Sequence, residues 1–222
     1  MRLALVVPIK GGVSPKQRLE AAFDADERRR LALAMADDVL RAVGELKEYA
    51  RFVVTSDDDV AAIADRFDLT VIADREQQGQ STAVRQGFVE AWALGYSAAL
   101  TVPGDVPAVT AADLRGLATF RPEVEVLLVP DREGTGTNAL RVIPPHAISL
   151  RFGEDSLSLH RAEAERAGRS LEELRNERVA CDLDRPADVA AFLELAPPTA
   201  TLRLLTALGA RERVASLSRP RV

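Results

Sequence analysis

Asp105 is the residue of this chain with the strongest chemical implication. It stands in LTVPGDVPAVT, residues 100–110, directly after a β-rich apolar run. Pro103 and Gly104 stop ladder pairing and permit a sharp turn, which points the acid out of the carboxyl end of a buried strand. In open α/β sheets that crevice is where ligands bind. A carboxylate held there between two prolines can hold Mg²⁺ against phosphates, or it can be an ordinary turn residue. A second acidic pair, in Cys181-Asp182-Leu183-Asp184, favours the former. Read as a strand end, that segment turns Asp182 and Asp184 to one side with Leu183 opposite. Asp184 could instead cap the helix that Pro186 opens, but a cap accounts for one acid and not two. Three carboxylates at two strand ends suit one or two Mg²⁺ ions in phosphoryl or nucleotidyl transfer.

Three other segments offer groups for anions. Residues 10–19, KGGVSPKQRL, leave the first strand with Lys10, Lys16, Arg18 and two glycines. Their backbone amides, with Lys16 and Arg18, could hold a triphosphate; a solvated basic loop is the other reading. Neither the Gly-Lys-Ser/Thr ending of a P-loop nor a dinucleotide fingerprint is present. Residues 130–140, PDREGTGTNAL, offer amide and hydroxyl donors to an anion, or simply turn. Residues 151–156, RFGEDS, run into a helix whose N-terminal amides and dipole favour a phosphate or carboxylate, unless Ser156 is only a cap. His146 and His160 have no metal-ligand spacing and no nucleophile arrangement with Cys181, so His160 reads as a structural helix residue near the pocket.

Strand-like and helix-like segments alternate along the chain and would position these groups. Strands are expected at residues 3–9, 52–55, 69–72, 98–102 and 124–130, with a short one at 178–182. Residues 138–143 are expected to pair at the sheet edge. Helices are expected at 24–46, with Asp24 as N-cap and Glu27 three residues on, and at 58–67, 81–94, 155–167 and 186–195. Val84, Phe88 and Trp92, four apart, read as one core-facing stripe. A C-terminal helix at 202–208 is set off from the body by Pro197-Pro198. This alternation implies right-handed crossovers, a mainly parallel sheet and a three-layer α/β/α sandwich.

Composition agrees with one domain over residues 1–222, with 196–222 as a helical tail. Hydrophobic residues at 47% are ample for a core. A formal charge of −5 argues against a nucleic-acid partner. The single cysteine allows no internal disulfide and fits a reducing cytoplasm. The first apolar run is too short to cross a membrane and lacks a small-residue cleavage site, so no membrane partner is expected. A homodimer stays open.

The motifs in this order resemble the MobA-like nucleotidyltransferases, and in particular the 2-phospho-L-lactate and phosphoenolpyruvate guanylyltransferases. The resemblance spans residues 3 to about 195. It rests on VPIK with Lys16-Gln17-Arg18-Leu19, on Val102-Pro-Gly-Asp105-Val-Pro107, and on Val129-Pro-Asp-Arg132 with Gly134-Thr-Gly-Thr137-Asn138-Ala-Leu140. Phe152-Gly153 with Ser156 and His160, and Asp182-Leu-Asp184 with Pro186 and Asp188, complete it. It implies that the phosphate of a three-carbon phospho-acid attacks the α-phosphorus of GTP and releases pyrophosphate, on the way to a deazaflavin coenzyme. It further implies catalytic roles for Lys16, Arg18 and Asp105, and nucleotide contacts from Lys10, Lys16, Arg18, Gly79 and Gly104. Thr137, Gly153 and Ser156 would hold the phospho-acid, and Asp105, Asp182 and Asp184 would hold Mg²⁺. The chain departs from the family's common Gly-Leu-Asn-x-Ala with Gly79-Gln80-Ser81-Thr82-Ala83, on the nucleotide side of the implied pocket. Other acceptors (a sugar phosphate, methylerythritol phosphate or a molybdopterin) and a non-catalytic nucleotide-binding module stay open.

Overall fold

Six consecutive buried residues, Leu3–Pro8, form the first strand, β1, near the middle of a seven-stranded sheet. The computed structural model describes residues 1–10, 16–75 and 77–217. After β1 come helix α1 (Ala25–Gly44), β2 (Ala50–Thr55), α2 (Asp58–Arg66), β3 (Thr70–Ala73), α3 (Gln80–Ala93), β4 (Ala98–Thr101) and α4 (Ala111–Thr119). The second half holds β5 (Val126–Pro130), β6 (Thr137–Val142), α5 (Ser156–Arg166), β7 (Leu171–Glu173), α6 (Glu177–Ala180), α7 (Pro186–Leu195), α8 (Ala200–Ala207) and α9 (Ala210–Leu217). The strand order is β3-β2-β1-β4-β6-β5-β7, and only the two pairings made by β6 are antiparallel.

Alternation along β1 divides the core into two layers. Leu3, Leu5 and Val7 meet Val39, Leu40 and Val43 of α1 and Leu114 and Leu117 of α4. Ala4 and Val6 face the other way, against Val84 and Phe88 of α3 and Leu157 of α5. The three-layer α/β/α sandwich is therefore the observed architecture. Helix α1 starts where expected: Asp24 accepts from the Glu27 N–H at 2.8 Å, and Glu27 reaches back to the Asp24 N–H at 3.0 Å.

Four expectations need correction. Residues 178–182 are not a strand. Asn176 accepts from the N–H groups of Arg178 and Val179 and caps α6, and Arg178 forks onto Asp113 with two 2.7 Å bonds. The sheet's edges are β3 and β7, and β7, three residues long, carries too little pattern to be read in advance. β6 is interior rather than an edge, because all six of its residues are covered on both faces between β4 and β5. Trp92 is half exposed and lies edge-on to His146, while Val84 and Phe88 are buried as expected. Each four-residue step drifts about 40° round a 3.6-residue helix, so two steps carry Trp92 off the face that Val84 defines.

The fourth correction concerns the C-terminal helices, which are not set off from the body. Leu205 and Val214 join Phe192, Leu31 and Met35 in a third apolar cluster. The Asp38 carboxylate of α1 accepts from the N–H groups of Ala200 and Thr201, both at 2.8 Å, and so satisfies the exposed donors that open α8. Pro197-Pro198 makes the turn into that contact. Residues 218–222 of the expected tail lie outside the described residues.

Candidate active site

Two cavities open side by side beyond the carboxyl ends of the central strands. The first, about 530 Å³, is lined by Lys10, Lys16 and Arg18 from the first loop, Gly79 at the start of α3, and Gly104, Asp105 and Asp184. The second, about 450 Å³, is lined by Asp131, Arg132 and Gly136 after β5, by Gly153, and by Asp182 and Asp188. Arg18 and Asp184 belong to both walls, so the chambers meet there. Residues 11–15 of the expected phosphate loop lie outside the described residues.

At the junction the side chains form one charged cluster. Lys16 Nζ lies 2.7 Å from Asp105 Oδ2 and 3.3 Å from Asp184 Oδ1, and Arg18 donates to Asp184 Oδ2 at 2.8 Å. Burial alone would lower the Lys16 pKa; the Asp105 and Asp184 carboxylates outweigh it and hold the ammonium above its ordinary value. The turn that carries Asp105 depends on Gly104, because a Cβ there would lie 2.5 Å from the Ile9 side chain. The Leu183 N–H donates to the Asp105 carbonyl at 3.0 Å, which ties the second acidic segment to the first.

Asp182 is held differently. Asn138 Nδ2 donates to its Oδ1 at 2.9 Å and to the Val179 carbonyl at 3.0 Å. Burial, reinforced by the neighbouring Asp105 charge, raises the Asp182 pKa to about 6. Asp188 accepts from the N–H groups of Asp184 and Arg185 and from Arg132 at 2.6 Å, so it fixes the backbone that presents Asp184. Asn138 and Asp188 were legible only as members of their motifs, since neither type announces a supporting role by itself.

The three expected metal ligands therefore reach one junction without closing on one point. Among the described residues, no group of three His, Cys, Asp or Glu side chains stands close enough to hold a metal ion. The Lys16 ammonium sits between Asp105 and Asp184 instead, because like-charged carboxylates relax onto whatever cation is at hand. The donors still fit a hard divalent cation in kind: they are carboxylate oxygens, and Asp105 Oδ1 is buried with no hydrogen-bond partner among the described residues.

Gly153 lines the second chamber directly, at φ +126°, a backbone conformation that favours glycine. Thr137 and Ser156 are together but buried, at 5% and 2% exposure. Ser156 Oγ accepts from the Thr137 N–H at 2.9 Å, and Thr137 Oγ1 lies 3.0 Å from His160 Nδ1. His160 Nε2 accepts from the Arg151 N–H at 2.9 Å, which leaves Nδ1 as the protonated nitrogen and donor to Thr137. His160 thus braces the chamber wall. Cys181 is no nucleophile: burial pushes its thiol up to about 11.

Burial also lowers the His160 pKa from 6.5 to about 4, with Glu163 opposing the shift. The unfolded chain then takes up a proton below pH 6.5 that the folded chain refuses until about pH 4. His160 should therefore withdraw roughly 3 kcal/mol of stability as pH falls through that window. Long-range ¹H–¹⁵N spectra of the folded protein should show a neutral, Nδ1-protonated ring above about pH 5. A His160 ring titrating near its ordinary value would contradict the geometry.

A sheet of this topology with an acidic junction at its carboxyl edge has the nucleotide-diphospho-sugar transferase fold. A putative nucleotide-diphospho-sugar transferase from Desulfovibrio desulfuricans superimposes with a TM-score of 0.80, covering 97% of this chain and 98% of that one at 14% identity. A nucleotidyl transferase from Methanothermobacter thermautotroptrophicus gives 0.67, over 91% and 98%, at 17% identity. The chain belongs to the family described as guanylyl transferase CofC like, whose model matches residues 3–213. The phosphoenolpyruvate guanylyltransferase of Conexibacter woesei is 37% identical over 194 residues, 86% of each chain. That of Sphaerobacter thermophilus is 35% identical over 198 residues, 89% of this chain and 95% of its own.

Proposed function

We propose that this protein is a Mg²⁺-dependent phosphoenolpyruvate guanylyltransferase that uses GTP, releases pyrophosphate and serves coenzyme F-420 biosynthesis in the cytoplasm. The observation that carries this reading is the pair of chambers meeting at Arg18 and Asp184. The first takes GTP, with its phosphates toward Lys10, Lys16 and Arg18. The second takes the phospho-acid. A phosphate oxygen of the acceptor forms the new bond to the α-phosphorus, the bond to the β-phosphate bridging oxygen breaks, and pyrophosphate leaves with that electron pair. A phosphate monoester is largely dianionic at neutral pH, so no side chain need act as a base. That agrees with a junction of lysine, arginine and carboxylates whose nearby histidine is a buried brace. Catalysis here is positioning and charge neutralisation.

The lining of the second chamber bears on the cation. Arg18, Arg132 and Arg185 face seven carboxylates there, from Asp131, Glu133, Glu154, Asp155, Asp182, Asp184 and Asp188. Such a wall repels a trianionic acceptor unless further positive charge enters. Mg²⁺ held by Asp105, Asp182 and Asp184 would supply that charge to both substrates. Lys16 must then leave its place between Asp105 and Asp184, which frees its ammonium for the triphosphate.

The test is pyrophosphate release from GTP with phosphoenolpyruvate, 2-phospho-L-lactate and a sugar phosphate in parallel, with and without Mg²⁺. Turnover with phosphoenolpyruvate that requires Mg²⁺ is expected; turnover only with a sugar phosphate would overturn the reading. Ser156→Ala tests the acceptor wall. Removing the hydroxyl leaves the Thr137 N–H unpaired and loosens the wall that Gly153 completes. Acceptor affinity should fall about ten- to a hundredfold, roughly 1.5–3 kcal/mol, with little change for GTP. Equal weakening of both substrates in titration calorimetry would remove Ser156 from the acceptor side.

A further inference from the structure

The end of the first cavity remote from the acidic junction is closed by Asp74, a residue that no motif singles out. Asp74 follows β3, the edge strand, and its N–H donates to the Thr55 carbonyl at 2.9 Å, continuing the ladder beyond Ala73. Its residue is only 7% exposed. Oδ1 accepts from the Gln77 N–H at 3.0 Å, while Oδ2 has no protein partner among the described residues. We propose that Asp74 reads the base, and that its carboxylate selects guanine by accepting from N1–H and the 2-amino group. This rests on the reading of the first cavity as the GTP site.

Position and chemistry agree. Strands lie about 4.8 Å apart, and β3 is three strands from β4, so Asp74 stands roughly 14 Å across the sheet from the end that leads to Asp105. The ribose joins the α-phosphate through O5′ and the base lies beyond it, so the remote end receives the base and not the ribose hydroxyls. A carboxylate only accepts hydrogen bonds. Guanine presents two adjacent donors to it, whereas adenine turns the lone pair of N1 toward the same place. Helix α3 opens onto the cavity at Gly79 and Gln80 with no side-chain cap, so its first N–H groups are available to the guanine O6 acceptor. An edge reading donor, donor, acceptor is that of guanine. A site built around such bonds rejects analogues that leave its buried polar group unpaired.

The experiment measures kcat/KM for GTP, ITP, XTP and ATP with phosphoenolpyruvate, and nucleotide affinity by calorimetry, for the wild type and Asp74→Asn. Asparagine keeps the acceptor for the Gln77 N–H, so the turn survives, but places an amide N–H₂ where the second oxygen stood. The wild type should favour GTP over XTP by about a hundredfold or more, with ITP, which lacks the 2-amino group, in between. In Asp74→Asn that preference should collapse at least a hundredfold, through loss with GTP and gain with XTP, at an unchanged melting temperature. An unchanged ratio would overturn the proposal. So would an equal loss with GTP and XTP, which places Asp74 on the ribose or in the fold alone. If the wild type transferred no guanylyl group to any acceptor, the proposed function would fail, and the calorimetric GTP-to-XTP ratio would still decide the role of Asp74.

Discussion

Asp105→Asn is expected to cut guanylyl transfer at least a thousandfold, about 4 kcal/mol of transition-state stabilisation, while the protein stays folded. The substitution preserves shape and removes one charge. The backbone that ties Asp105 to Leu183 is untouched, and the Val102-Pro103-Gly104 turn keeps its packing on Ile9. What goes is the acidic anchor of the junction: the closer partner of the Lys16 ammonium, and the buried oxygen that has no hydrogen-bond partner among the described residues. A neutral amide oxygen is a weaker ligand than a carboxylate for a hard cation. Removing a neighbour of like charge should also bring the Asp182 pKa down, toward that of an ordinary carboxylate. The check is steady-state turnover together with a thermal melt. Activity within tenfold of wild type would take Asp105 out of the reaction; a melting temperature far below wild type would make its role structural.

The second large effect concerns stability. Arg141, in the middle of β6, is completely buried. Its guanidinium donates to the carbonyls of Leu117, Ala118 and Phe120 through one terminal nitrogen, and to Arg121 at 3.2 Å and Val124 at 2.9 Å through the other. These carbonyls lie at the C-terminus of α4 and in the turn into β5, where the helix dipole also favours a cation; the Arg121 carbonyl accepts from the Val124 N–H as well. Arg141→Met fills much of the same volume but takes the guanidinium away from all five carbonyls, of which, among the described residues, Arg121 alone keeps a backbone donor, the Val124 N–H. The expected loss is roughly 4 kcal/mol or more, a large part of the stability of an ordinary domain. For a chain of this size that corresponds to a drop of roughly 8–16 °C in melting temperature. Denaturant unfolding of Arg141→Met would show it, with Arg141→Lys falling between, since lysine keeps the charge without the fork. A loss below about 1 kcal/mol would mean that water serves these carbonyls as well as the guanidinium does.

Arg141 also shows where reading along the chain stops. A lone arginine within an apolar run looks like a break in a strand, and 138–143 was expected at the sheet edge, where such a residue reaches water. The strand is interior, and the charge is acceptable there because a helix end some twenty residues earlier supplies its partners. The same applies to Asn176 and Arg178, whose cap and fork onto Asp113 make a helical turn out of residues with strand character.

Local physics was enough for much of the rest. Continuous apolar runs identified β1, β2, β4 and β5, because strands covered on both faces have no polar side to show. The Asp24–Glu27 capping box marked the start of α1, because its hydrogen bonds lie within one helical turn. Asp182 and Asp184 lie in an irregular segment after α6 and not at the strand end that their spacing implies, but the Pro-Gly-Asp turn placed Asp105 beyond a strand. These are short-range facts, set by dihedral preference and side-chain periodicity, and the sequence by itself determined them. Tertiary structure alone decided how the acids are used: that Lys16 bridges Asp105 and Asp184, that Asn138 takes Asp182 aside, that Thr137 and Ser156 stand behind the wall of the second chamber, and that Asp74 lines the first. Each of these depends on groups brought together from distant parts of the chain, and burial, charge and unpaired hydrogen-bonding groups acquire their energies only once the fold has excluded water from them.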